Sequence, residues 1–139
     1  LEGTEHISFL DCKVLDVGGN GITISRYNRN TLIRGCEIAD AGANAILLAG
    51  DTKAVRSPLF GYESVHEEGK MDLSPGPASA DYPAKCRVEG NLLCRNGRVE
   101  KQSAGVSLTV CEEIEIVHNT IWDVPRAGIN ICDGTWEAM

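Results

Sequence analysis

Leu10-Asp-Cys-Lys-Val-Leu-Asp16-Val-Gly-Gly-Asn-Gly21-Ile-Thr-Ile24 lies over Arg34-Gly-Cys-Glu-Ile-Ala-Asp40-Ala-Gly-Ala-Asn-Ala45-Ile-Leu-Leu48 without a gap when the chain is shifted by 24 residues against itself. Cys12 falls on Cys36, Val14 on Ile38, Asp16 on Asp40, Ile22 on Ile46 and Ile24 on Leu48. Within each copy the apolar residues recur two apart, which is the period of a strand rather than a helix. A repeat of this length, made of short alternating runs, marks a chain that coils and stacks on itself.

Two looser copies follow. Cys86-Arg-Val-Glu-Gly-Asn91-Leu-Leu-Cys-Arg-Asn-Gly97 matches Thr31 to Gly42 and resumes at Gly105-Val-Ser-Leu108. Ile114-Glu-Ile-Val-His-Asn119-Thr-Ile-Trp-Asp123-Val-Pro125 matches the same block and closes with Gly128-Ile-Asn-Ile131. The shared template is a short strand, a polar corner, a second short strand, a glycine-containing turn and a third short strand. Val, Ile and Thr dominate the runs, as strands favour. The expected fold is therefore all-β: a parallel β-helix of about four rungs with three short strands per rung.

In such a stack equivalent residues pile into columns, one strand spacing of about 4.8 Å apart. Phe9, Ile33, Val88 and Ile116 form one inward column, and Val14, Ile38, Leu93 and Ile121 a second. Ile22, Ile46, Val106 and Ile129 form a third, and Ile24, Leu48, Leu108 and Ile131 a fourth. Cys12, Cys36, Asn91 and Asn119 share a corner, where stacked amides can bond along the axis. Two cysteines in one column point the same way, a poor arrangement for a disulfide torsion, so free thiols are expected.

Bulk composition narrows the function. The formal net charge is −7 with no basic cluster, which argues against binding a phosphate backbone. No apolar run reaches the roughly 20 residues of a membrane helix. Aromatics are only 5% of the chain, so the core is expected to be a narrow stack of aliphatics. The chain starts without an initiator Met or signal peptide, and neither end carries a polar cap. It reads as a single β-helix segment over 1–139, an interior fragment whose first partner is the remaining rungs of the same protein.

Two departures from the repeat carry most of the functional signal. An insertion at 50–84 holds four of the five prolines, and a smaller one spans 98–103. Long loops in a compact repeat commonly serve function. The first leaves the third strand and the second enters it, so both border the face whose outward residues are Thr23, Leu47, Ser107 and Asn130. A groove is expected there. Asp133, Lys101 and Arg126 are the catalytic candidates near it, and Asn130, Ser107, Trp136, Asp51 and Arg56 the substrate-binding ones. A glycosidase needs two carboxyl groups about 5 Å apart for retention or roughly 6.5–9.5 Å for inversion, and strand spacing offers both.

Other polar residues read as structure. Asp16, Asp40 and Asp123 recur at one corner with Arg95 between the last two, as turn residues with a cation relieving repulsion. His66 beside Glu67 and Glu68 reads as a solvated loop, and His118 as a corner residue. The cysteines show no zinc spacing, so no metal is expected, and calcium enters only if the chemistry is that of a lyase.

Tyr27-Asn-Arg-Asn30, Asp51-Thr-Lys-Ala-Val-Arg-Ser-Pro-Leu-Phe60, Arg98-Val-Glu-Lys-Gln-Ser-Ala-Gly-Val106 and Asp123-Val-Pro-Arg-Ala-Gly-Ile-Asn-Ile131 with Asp133-Gly-Thr-Trp136 resemble large bacterial right-handed β-helix proteins of the pectin-lyase-like superfold. Within it the chain is most similar to glycoside hydrolase family 141, fucosidase- and xylanase-like enzymes. The resemblance implies a right-handed coil, a secreted, periplasmic or cell-surface location, and a poly- or oligosaccharide as partner. The family pattern continues beyond Trp136 into further rungs, where here Glu137-Ala-Met139 stands, so no catalytic residue transfers directly. Glycoside hydrolysis is the expected activity. The alternatives are a polysaccharide lyase with Lys101 or Arg126 as base, and a glycan-binding or spacer β-helix of a surface protein.

Overall fold

The computed structural model describes residues 1–56, 69, 72 and 74–132. Among these residues fifteen short strands are joined by bends: β1 (Thr4–Glu5), β2 (Ser8–Leu10), β3 (Lys13–Leu15), β4 (Ile22–Ser25), β5 (Asn28–Arg29), β6 (Leu32–Arg34), β7 (Glu37–Ala39) and β8 (Ile46–Ala49) come first. After a 3₁₀ turn at Thr52–Ala54 come β9 (Pro83–Ala84), β10 (Arg87–Glu89), β11 (Leu92–Cys94), β12 (Ala104–Thr109), β13 (Glu115–Val117), β14 (Thr120–Trp122) and β15 (Ala127–Ile131).

Every strand pairing is parallel and joins consecutive copies of the repeat. Four sheets result. Sheet A has the order β1-β5-β9, sheet B β13-β10-β6-β2, sheet C β14-β11-β7-β3 and sheet D β15-β12-β8-β4. An all-β chain of stacked parallel sheets with almost no helix is compatible with a parallel β-helix. Sheet A is an addition to the expected three strands. Its two-residue strands lie where the sequence shows only a polar link between one copy and the next.

The register reproduces the expected columns. Phe9 pairs with Ile33 and Ile33 with Val88, which in turn pairs with Ile116. Val14, Ile38, Leu93 and Ile121 follow the same order in sheet C. In sheet D the columns are Ile22, Ile46, Val106, Ile129 and Ile24, Leu48, Leu108, Ile131. In the middle copies these side chains are buried in one aliphatic cluster, each contributing roughly 1.5–3 kcal/mol relative to exposure.

The corners are made by isolated left-handed residues. His6, Asn30, Lys85 and Glu113 follow sheet A; Asp11, Gly35, Gly90 and His118 follow sheet B; Asp16, Asp40, Arg95 and Asp123 follow sheet C, all with φ between 49° and 67°. A left-handed L residue costs about 1–2 kcal/mol, so the packing of the strands on either side must hold each corner in place. Among the described residues no carboxylate of Asp16, Asp40 or Asp123 bonds its own turn. The shared property is the backbone conformation, which Asp tolerates better than most residues.

Amide ladders satisfy the buried backbone between corners. Asn91 Oδ1 accepts from the Cys36 N–H at 2.9 Å, while Asn91 Nδ2 donates to Asn119 Oδ1 at 2.9 Å and to the Ile33 carbonyl at 3.0 Å. Asn119 Nδ2 donates in turn to the Val88 carbonyl. A second ladder joins Asn20 and Asn44, and Asn44 Oδ1 accepts from the Ala104 N–H at 2.7 Å. Cys12, Cys36, Cys86, Cys94 and Cys132 carry free thiols. Burial pushes the Cys36 and Cys86 thiols above their ordinary value and keeps them protonated as small fillers.

Candidate functional site

The two insertions meet the stack at opposite ends of the sheet D strands. Residues 97–100 run back over the preceding copy: the Gly97 N–H donates to the Ala43 carbonyl, Arg98 to Ala41, and both Val99 and Glu100 to Gly42. Gly42 is required there, because a Cβ would lie 2.0 Å from the Gly18 carbonyl oxygen. At the other end the base of the 50–84 insertion is tied by Asp51 N–H to the Asp81 carbonyl and Ala78 N–H to that of Ala54. Ala54, Tyr82, Ala84 and Val110 form a small separate core beneath it.

Arg29 locks this base from the stack side. Its guanidinium donates to the Tyr82 and Ala80 carbonyls and lies 4.5 Å from the Tyr27 ring centroid and 4.8 Å from that of Tyr82. The Tyr82 hydroxyl donates to Glu112 at 2.8 Å, and burial together with that acceptor raises its pKa to about 12.

Between the insertions, Thr23, Leu47, Ser107 and Asn130 form the expected outward column of sheet D, in register and half-buried. Asn130 Nδ2 donates to Ser107 Oγ at 3.4 Å and to Cys132 Sγ at 2.9 Å.

The remaining candidates fall in different places. Lys101 lies on the 98–103 insertion with its ammonium donated to the Gly97 and Arg98 carbonyls at 2.7 and 3.1 Å. Arg126 is exposed in the bend before β15. Asp51 caps the 3₁₀ turn by accepting from the Lys53 N–H. Arg56 is turned into its own insertion, donating to the Gly76 and Pro77 carbonyls and to Asp72. Asp72, bonded first by Ser74 and then by Arg56, has its pKa lowered to about 2. Asp133, Trp136, His66, Glu67 and Glu68 lie outside the described residues. Among the described residues no three His, Cys, Asp or Glu side chains converge on a metal position, and no helix is long and apolar enough to cross a membrane.

A second feature lies at the corner between sheets C and D. An open depression of about 390 Å³ is lined by Asp16, Val17, Gly18, Asp40, Gly42, Arg98 and Val99. Its charges are organised across copies. Arg95 grips Asp40 through Nε and Nη2 at 3.1 and 2.8 Å and lies 5.7 Å from the Trp122 ring centroid. Arg98 Nη1 stands 4.0 Å from Asp123.

The sequence reading assigned no binding role to Trp122 or Arg98. The signal was present in the period: Thr120 and Trp122 flank inward Ile121, so the indole faces outward. Comparison with family models, curated proteins and solved structures gives no match for this chain. Its function therefore rests on geometry.

Proposed function

We propose that the chain is a section of a right-handed parallel β-helix that engages glycans, and that the protein it serves is a glycoside hydrolase acting on complex polysaccharide outside the cytoplasm. The reading is carried by one observation: both insertions meet the stack at the ends of sheet D, and the face between them presents an in-register column with Ser107 and Asn130 as adjacent hydrogen-bonding groups. Loops that join at the ends of exposed strands on a rigid scaffold are common positions for binding residues. Steps of about 4.8 Å between strands bring successive contacts to successive sugar rings.

Hydrolysis by paired carboxyl groups is favoured over β-elimination. Of the two lyase bases, the Lys101 ammonium is engaged by two backbone carbonyls, which leaves the exposed Arg126 to carry that alternative. Asp133, just past β15, is the proposed acid on this segment, with its partner carboxyl from a neighbouring loop or rung. Arg126, in the bend before β15, is proposed to orient substrate.

The test is a screen of the intact gene product on fucosylated and xylan-type glycans with and without chelator. Reducing sugar released without an unsaturated product supports the hydrolase. A calcium-dependent rise in ultraviolet absorbance replaces it with a lyase. Binding without turnover leaves a recognition module, and absence of both binding and turnover removes the glycan reading.

A further inference from the structure

We propose that the base of the 50–84 insertion is a latched unit: residues 51–56 and 74–82 lift from the stack together, without unfolding it, when Arg29 releases the carbonyls of Ala80 and Tyr82. The inference does not depend on the glycan reading above.

The first observation is that the base is bonded chiefly to itself. The Asp51 N–H donates to the Asp81 carbonyl and the Ala78 N–H to that of Ala54, each joining the entering segment to the returning one. The Ala54 N–H closes the 3₁₀ turn on the Asp51 carbonyl. Arg56 spends its guanidinium on Gly76, Pro77 and Asp72, all within the insertion. The apolar residues follow the same division. Ala54 and Tyr82 pack with Ala84, Val110 and Val55 in a small core apart from the aliphatic cluster of the stack. Units joined by few contacts open separately, and the one with less buried apolar surface opens at lower free energy.

The second observation is that the ties from this unit to the stack converge on Tyr82. Arg29 donates to the Tyr82 and Ala80 carbonyls, and its guanidinium lies over both the Tyr27 and the Tyr82 rings. The Tyr82 hydroxyl donates to Glu112 of the next copy at 2.8 Å. Entry and exit of the insertion meet at the same residue, since a Cβ on Gly50 would fall 2.6 Å from the Tyr82 Cβ. Immediately after Tyr82 the chain is back in the stack, with Pro83 paired to Asn28 and Ala84 to Arg29. Arg26 adds an ion pair to Asp51 at 3.8 Å, exposed on the arginine side and therefore weak.

Arg29 is suited to be the latch. It is rooted on β5 in the second copy, while the carbonyls it holds belong to the returning arm of the insertion. Its planar fork donates to two carbonyls and stacks on aromatic faces at once, which an ammonium does not reproduce. With the latch closed, the small core and the neck are held against sheet A. With it released, the neck bonds from Asp51 to Asp81 and from Ala78 to Ala54 lose their support together. Asp51 stands two residues beyond β8, so the opening also changes what borders the outward residue Leu47 on sheet D.

The experiment is native-state hydrogen exchange of the full chain, read residue by residue in a series of urea concentrations below the unfolding transition. The expected result is that the Asp51, Ala54 and Ala78 amides share one opening with a small urea dependence, whereas the Glu37 and Leu92 amides of the stack exchange only through a larger one. This series needs no variant to fold. Arg29→Met should speed exchange of the first group by about tenfold or more and leave Glu37 and Leu92 unchanged, with Arg29→Lys between the two. Base amides that exchange only together with Glu37 and Leu92 overturn the separate unit. Base amides that open one by one, with unequal urea dependence, overturn their acting together. Equal acceleration of both groups in Arg29→Met makes Arg29 a support of the whole stack and overturns the latch.

Discussion

Arg95 and Asp40 form a forked ion pair across one strand step, with Arg95 Nε 3.1 Å from both carboxylate oxygens and Nη2 2.8 Å from one of them. Each residue is the left-handed corner of its own copy. The pair therefore ties two strained positions together, and the same guanidinium reaches toward Trp122 of the next copy.

Replacing Arg95 should consequently loosen a corner rather than a single contact. Arg95→Ala is expected to lower the thermal midpoint more than Arg95→Lys, since an ammonium keeps the charge and loses the fork. The pH dependence has a fixed sign. The Asp40 carboxyl is lowered by Arg95, so the pair's stabilisation is complete above the ordinary aspartate range and fades as pH falls through the lowered value. Thermal melts of both proteins should converge in acid. A wild-type advantage that persists unchanged at the lowest pH would contradict the assignment.

Asn91 is the most exacting polar residue in the interior. It is buried, and its amide serves Cys36, Ile33 and Asn119 at once. Asn91→Ala removes the side-chain partner of the Cys36 N–H and the Ile33 carbonyl, both in the preceding copy, and each buried orphan costs about 1–3 kcal/mol. Denaturant unfolding should show a loss of that order or greater. Asn96→Ala should behave alike, because Asn96 accepts from the Ala41 N–H and donates to the Ile38 carbonyl.

Acid should release the 50–84 insertion before the stack. Asp72 has a carboxyl lowered to about 2 by Ser74 and Arg56. Its contribution is present above about 3.9, the unperturbed aspartate value, and is lost as pH falls toward 2. Pepsin digestion over that window should cut within the insertion first. Asp72→Asn should shift the onset of cleavage to higher pH. Cleavage that begins in sheets B or C would sink the idea.

The last copy exposes its inward side chains. Ile129 is 45% and Ile131 57% exposed, although Val106 and Leu108 of the same columns are buried on the adjacent strand. Together with the outer edges of β13, β14 and β15, they offer a parallel template for another strand. The isolated chain is expected to associate with rising concentration, and an Ile129→Asp, Ile131→Asp double variant should suppress this in sedimentation velocity. A wild-type chain that stays monomeric at high concentration would contradict it.

The columns of the core were legible because a strand alternates its faces with period two and the overlay at 24 residues is gapless. The register of Val14 on Ile38 or Ile24 on Leu48 needs nothing further. Sheet A was not legible, since two-residue strands such as Asn28–Arg29 are too short to show a period. The corner logic was half read: the recurrence of Asp16, Asp40 and Asp123 was visible, but Arg95 fills the same position, which identifies backbone conformation rather than side-chain chemistry as the shared requirement. Arg98 and Val99 over the depression could not be placed from spacing, because the path of 97–100 depends on hydrogen bonds to Ala41, Gly42 and Ala43 of another copy.

The gapless offset has a consequence for the gene. Ile33 and Val88 are 55 residues apart, and Val88 and Ile116 are 28 apart, yet all three stand in one column on successive levels. Chain length between levels is therefore free, whereas the alignment of one level on the next is not. Tandem duplication of a 24-residue unit would add a floor to the stack without moving its neighbours, and a loop could lengthen between floors by small steps. Reach along a polymer and grip at one position can be inherited separately in such a molecule, the first by copying whole units and the second by extending a single bend.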